Sequence, residues 1–158
     1  MPELWFYHLE HETALNLLPQ LLRRGLERGL RLSIETISHE FVGRWSSHLW
    51  ACEDTGFLPH GLEGDKRSAS QPIWLANGNA NPNGSTFRFY VDGAVPSAGW
   101  LKDDAALQRA SVLFEGANVQ SVQAARSLWK EARSVGIAVR YQRQNDGGGW
   151  GEVTASGA

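Results

Sequence analysis

Leu4-Trp5-Phe6-Tyr7-His8-Leu9 is apolar on both of its alternating faces. A strand of this kind reads as buried on both sides, which suits a sheet with cover above and below better than a solvent-exposed edge. The downstream residues fit such an architecture. A leucine-rich helix is expected from about Leu15 to Glu27, with Leu18, Leu21, Leu22 and Leu26 inward and Arg23, Arg24 and Arg28 outward. Pro19 lacks an amide hydrogen, so the helix should either start late or kink there. Gly29 ends it, and Arg31 to Ile37 gives a second strand.

A second helix is expected over His39–Leu49, carrying Phe41, Trp45 and Leu49 with Trp50 at its exit. Pro59 and Gly61 then interrupt regular structure. Pro72–Leu75 reads as a third strand, the Asn, Gly and Pro stretch from Asn77 to Ser85 as a loop, and Thr86–Val91 as a fourth strand. A short helix or turn over Leu101–Arg109, a strand at Ser111–Phe114, a helix at Val119–Val135 and a strand at Ile137–Tyr141 complete the order. This succession predicts an α/β fold: a three-layer, Rossmann-like domain with a mainly parallel sheet. Residues 1–144 should form this single domain and 145–158 a flexible glycine-rich tail, with Trp150 as its one anchor.

At 158 residues the chain can bury a real core without staples. Its one cysteine, Cys52, leaves no internal disulfide framework and reads as a small hydrophobe. No apolar run approaches the length that crosses a bilayer, and no leader pattern opens the sequence, so no membrane contact and a cytoplasmic location are expected. A net charge of -2 and a pI near 6.2 argue against wholesale coating of nucleic acid, though not against a local basic patch. Seven tryptophans are more than so small a core readily encloses, and point to aromatic side chains at a binding surface.

The catalytic signatures that such a fold invites are missing. The loop after the first strand, His8-Leu9-Glu10-His11-Glu12, has no glycine to let backbone amides approach a phosphate. Gly61–Ser68 lacks the spacing of a Walker loop. His8 and His11 are three residues apart at a strand end, not one helical turn apart with glutamate between them, and His39 and His48 have no sequence-evident partner. His60, beside Pro59, is expected to hold its turn by hydrogen bonding. The surviving enzyme alternative is a nucleotide or phosphate-ester enzyme whose strand-end crevice gathers several of His8, His11, Glu12 and His60. No cofactor and no metal are expected.

The pattern that does suggest function lies in the last helix. Val122, Arg126, Trp129 and Arg133, with Lys130 beside them, fall within a narrow arc, whereas Ala124, Ala125, Leu128, Ala132 and Val135 fall opposite. One side has a core to pack against, and the other offers cations and a flat aromatic to an acidic peptide with an apolar end, or to a nucleotide. Trp50 would join this site if the second and last helices shared a sheet face. Direct stacking of single-stranded DNA on the tryptophans is a further reading, disfavoured by the overall acidity.

Several blocks occur in a specific order: Trp5-Phe6-Tyr7, Leu49-Trp50, Phe57-Leu58-Pro59-His60-Gly61, Pro72-Ile73, Leu113-Phe114-Glu115, and Ala125-Arg126-x-x-Trp129-Lys130-x-x-Arg133-x-x-Gly136. In these the chain resembles the chi subunit family of bacterial DNA polymerase III. The resemblance implies a non-catalytic accessory protein with a nucleotide-binding-like fold but no nucleotide-binding loop. It implies pairing with the psi subunit and a link from the clamp loader to single-stranded DNA-binding protein, so that contact with DNA is mainly indirect. Family members hold that protein's acidic C-terminal tail, which ends in Asp, Ile, Pro and Phe. By position, Arg126, Trp129, Lys130 and Arg133 would be the basic face of the tail site, Trp50 its apolar lining and Val122 its edge.

Overall fold

A computed structural model describes residues 2–51, 58, 60–62, 67, 70–76, 83–104, 106–147 and 149–153. Cys52, most of the Asn77–Ser85 loop, and Phe57, Pro59 and much of the Gly61–Ser68 segment lie outside the described residues. Among the described residues, eight strands and four helices follow one another as β1 (Glu3–Leu9), α1 (Ala14–Glu27), β2 (Leu32–Glu35), α2 (His39–Trp50), β3 (Gly61–Leu62), β4 (Ile73–Ala76), β5 (Phe87–Tyr90), α3 (Ala98–Asp103), β6 (Arg109–Glu115), α4 (Val119–Ser134), β7 (Val139–Gln144) and β8 (Trp150–Val153). The strands form one sheet in the order β3-β4-β2-β5-β6-β1-β7-β8. Every neighbouring pair is parallel except β7 and β8. The mainly parallel, Rossmann-like α/β architecture expected from the sequence is the one observed.

The apolar β1 lies in the interior of the sheet, between β6 and β7. Strand alternation sorts its side chains onto two faces. Leu4 and Phe6 join Val112, Phe114, Tyr141 and the helices α3 and α4 in one core. Leu9 joins Leu32, Ile34, Phe89, Leu113 and the helices α1 and α2 in the other. Helices α2 and α4 therefore cover opposite faces, a placement that decides the composition of the candidate site.

Of the late start or kink expected at Pro19, the late start does not occur: helix α1 begins at Ala14 and runs through the proline to Glu27. With no amide hydrogen, Pro19 leaves the Leu15 carbonyl without its usual intrahelical donor. His48 Nε2 of α2 lies 2.6 Å from that carbonyl and donates to it. One imidazole thus repairs the helix and ties α1 to α2. His48→Leu should cost about 1–3 kcal/mol, the penalty for a buried acceptor left unsatisfied, measured by urea denaturation against the wild-type chain. An unchanged midpoint would show that water replaces the imidazole.

Two boundaries differ from expectation for identifiable reasons. The helix expected over Leu101–Arg109 is α3, at Ala98–Asp103, where the Ser97 hydroxyl caps the Trp100 amide. Asp104 Oδ1 then accepts from the Ala106 and Leu107 amides, a turn that stops the helix and lets Arg109 open β6. The segment expected to fray contains β8, antiparallel to β7. Asn145 builds the turn between them by accepting from the amides of Gly147 and Gly149. Trp150 is the anchor, its ring edge-on to Tyr7 at 5.6 Å.

Candidate functional site

Helix α4 is capped at its start by Asn118, whose side chain accepts from the Ser121 amide, and the chain turns away after its end at Gly136, in the left-handed region at φ 83°. Ala125, Leu128 and Ala132 are buried against the sheet. Small alanines at two of these contacts let the helix lie close to the strands. This seating fixes the helix about its axis and turns the stripe toward one flank. Val122 and Trp129 are half-buried at the rim of the core that holds Leu128, while Arg126, Lys130 and Arg133 are exposed. The Arg133 guanidinium stands 5.0 Å from the Trp129 ring centroid, in cation–π range. An apolar strip bordered by three cations is what an acidic chain with a hydrophobic end requires.

The flank continues onto β7, which sequence reasoning did not include. Tyr141 belongs to the α4 core, and Arg143, two residues further along the strand, points to the same face of the sheet. The charges of Arg126 and Arg143 both act on His8 and Tyr141. Arg143 is held by Glu10 at 3.1 Å. The period-two spacing of Val139, Tyr141 and Arg143 was the available signal. It became informative only with the strand's face assigned.

Trp50 does not join this group. It is 64% exposed, at the end of α2 on the opposite face. Helix α2 packs on β4, four strand positions from β1, or roughly 19 Å at the usual strand spacing. Its ring makes an edge contact with His60 at 5.8 Å. The expectation that Trp50 lines the α4 site fails because α1 and α2 pack on one face of the sheet and α3 and α4 on the other.

The strand-end histidines do not converge either. His60 belongs to the β3 edge, five strand positions from β1 and so roughly 24 Å away. It secures its turn as expected: Nδ1 donates to the Leu58 carbonyl and Nε2 accepts from the Ser46 hydroxyl, each at 2.9 Å. His11 faces Asp146 at 3.8 Å. In the loop after β1, the amides of Glu10, His11 and Glu12 all donate to Gln144 Oε1 at 2.8–3.2 Å. These donors occupy the place where a Rossmann-like fold commonly receives a phosphate, and here the chain's own side chain satisfies them. Among the described residues no group of three or more His, Cys, Asp or Glu side chains is arranged to hold a metal, and no helix is long and apolar enough to cross a membrane.

His8 is buried between Glu10, at 2.8 Å from Nε2, and the Tyr141 hydroxyl, at 2.8 Å from Nδ1. Burial lowers its pKa, Glu10 opposes the shift, and Arg143 and Arg126 add to it. Nε2–H therefore donates to the carboxylate, and Nδ1 accepts from the phenol. A histidine whose folded pKa lies below 6.5 contributes stability that is complete above 6.5 and is lost as pH falls toward the folded value. Stability should decline from pH 7 to pH 5, and His8→Gln should flatten that decline; equal slopes in chemical denaturation across this range would refute the assignment.

The family model of the DNA polymerase III chi subunit, HolC, matches residues 1–140 of the 158-residue chain. No match was found among curated proteins. The matched span contains the entire α4 stripe and runs from β1 into the start of β7. With this match over most of its length, the chain belongs to the chi subunits, accessory subunits of DNA polymerase III.

Proposed function

We propose that this protein is a non-catalytic adaptor in DNA replication, binding the acidic C-terminal tail of single-stranded DNA-binding protein along the α4 flank and joining it, through a psi partner, to the clamp loader. The observation that carries the reading is the combination on one flank of half-buried Val122 and Trp129 with exposed Arg126, Lys130 and Arg133. The tail's terminal phenylalanine would pack against Val122 and Trp129. Arg126 or Arg133 would hold the terminal carboxylate and Lys130 the preceding aspartates, with Arg143 of β7 extending the positive rim. Contact with DNA in this role passes through the bound partner, and a cytoplasmic setting follows from it.

Trp50 has a different place in this proposal. An exposed tryptophan on the opposite face of the sheet suits a second protein partner, and psi could sit there without meeting the tail. Titration calorimetry with a synthetic peptide ending Asp-Asp-Asp-Ile-Pro-Phe, beside a copy lacking the phenylalanine, tests the tail site. Binding in the micromolar range that disappears on truncation is expected; no heat from either peptide would refute the reading.

A further inference from the structure

The sheet face opposite α4 carries a second concentration of aromatic and basic groups. Helices α1 and α2 pack over β2, β4 and β6 on this face, and toward β7 and β8 Arg140 and Glu152 are exposed and Gln142 and Trp150 partly so, while Gln144 is buried. Trp5 and Tyr7 of β1 lie 6.1 Å apart with their rings 25° from parallel, and Tyr7 meets Trp150 of β8 at 5.6 Å. These three rings cross the sheet from β1 to β8. The Arg109 and Arg140 guanidinium groups stand 4.1 Å and 5.3 Å from the Trp5 ring centroid.

Beside the rings, a cleft of about 140 Å³ opens between α1 and the sheet, lined in part by Tyr7, Arg24, Arg28 and Arg109. Arg109 Nε is buried there without a hydrogen-bond partner, and burial works against the charge of this guanidinium. Its nearest carboxylate contact, Glu3, is 3.9 Å away, and Arg140 stands equally far from Glu152. Two carboxylates thus stand among four arginines, each 3.9 Å from its guanidinium, with Glu3 also accepting from the Trp5 indole at 3.1 Å. An anion in the cleft would gain charge-assisted bonds at the cost of few existing ones.

We propose that this face, formed by Trp5, Tyr7, Trp150 and Arg140 with the Arg109 cleft beside them, binds single-stranded DNA directly. Unpaired bases offer flat π-faces to the half-exposed rings, and the phosphates offer the charge that the arginines lack. Base stacking on aromatic side chains tolerates any sequence, and duplex DNA, whose base faces are already stacked, cannot use it. DNA is the occupant because the family works within a DNA polymerase. The net charge of -2 does not oppose this locally, since Arg24, Arg28, Arg109 and Arg140 stand together on this face. The surface lies across the sheet from the α4 flank and is independent of the tail-binding reading.

Fluorescence anisotropy of a labelled oligothymidylate of about 15 nucleotides at low salt tests the proposal, with tryptophan quenching as a second readout. The oligonucleotide is expected to bind the wild-type chain, and Trp150→Ala to weaken it at least about fivefold. Arg140→Ala, which leaves the rings in place, should reduce the slope of log affinity against log salt by about 0.7. Arg126→Ala should leave this binding unchanged. Absence of binding at low salt, a salt slope untouched by Arg140→Ala, or loss of binding in Arg126→Ala would overturn the proposal. Titrating the same proteins with the acidic peptide separates the two sites: failure of the peptide alone removes the tail-binding reading and leaves this surface standing.

Discussion

Arg126→Ala should weaken binding of the acidic-tail peptide by about thirtyfold, corresponding to about 2 kcal/mol for loss of a cation facing a desolvated carboxylate. Trp129→Ala should cost a similar amount, since truncating a central aromatic removes the surface against which the terminal phenylalanine is buried. The two variants should respond differently to salt. The affinity that remains in Trp129→Ala is carried by cations and should fall steeply as salt rises, whereas Arg126→Ala should lose salt sensitivity. Trp50→Ala is the control that geometry supplies: it stands on the other face of the sheet and should leave peptide affinity unchanged. Unchanged affinity in both α4 variants, or a large loss in Trp50→Ala, would refute the placement of the site.

The largest effect on stability is expected inside the sheet. Arg88 of β5 and Glu35 of β2 are almost wholly buried, with Nη1 and Oε1 2.8 Å apart. The Arg88 guanidinium also stands 5.0 Å from the Trp100 ring centroid, so one side chain contacts both a strand neighbour and α3. Tyr90, on the same strand face two residues on, has its phenol pKa raised by burial and remains neutral. Arg88→Met leaves the Glu35 carboxylate buried without its cation and should cost about 3–5 kcal/mol. In a chain of this size that loss corresponds to a fall in Tm of about 6–20 °C. Adding Glu35→Gln should recover much of it, because the uncompensated charge is gone. A single variant with wild-type Tm, or a double variant no better than the single, would show that this pair is not an electrostatic keystone.

Local chemistry made much of the fold legible in the sequence. The doubly apolar Leu4–Leu9 run implied an interior strand, the leucine spacing of α1 and the alanine and leucine spacing of α4 implied helices with one buried side, and their alternation implied a parallel sheet. The stripe on α4 was equally readable, because residues three and four apart share a helix face whatever the rest of the chain does. The family-bearing motifs belong to the same level of information, since they are local residue patterns in a fixed order.

Only the tertiary structure decided what depends on the packing of distant segments. It separated Trp50 from Trp129 by placing their helices on opposite sides of the sheet, and it brought Tyr141 and Arg143 to the flank of α4. It gave the carbonyl freed by Pro19 to His48, and the amides after β1 to Gln144, more than a hundred residues away in sequence. It also made a strand of Trp150–Val153, whose glycine-bordered composition carries little intrinsic preference for one. Periodicity records which side of an element is buried; which elements then share a face is set by crossover direction and strand order, and no local spacing encodes these.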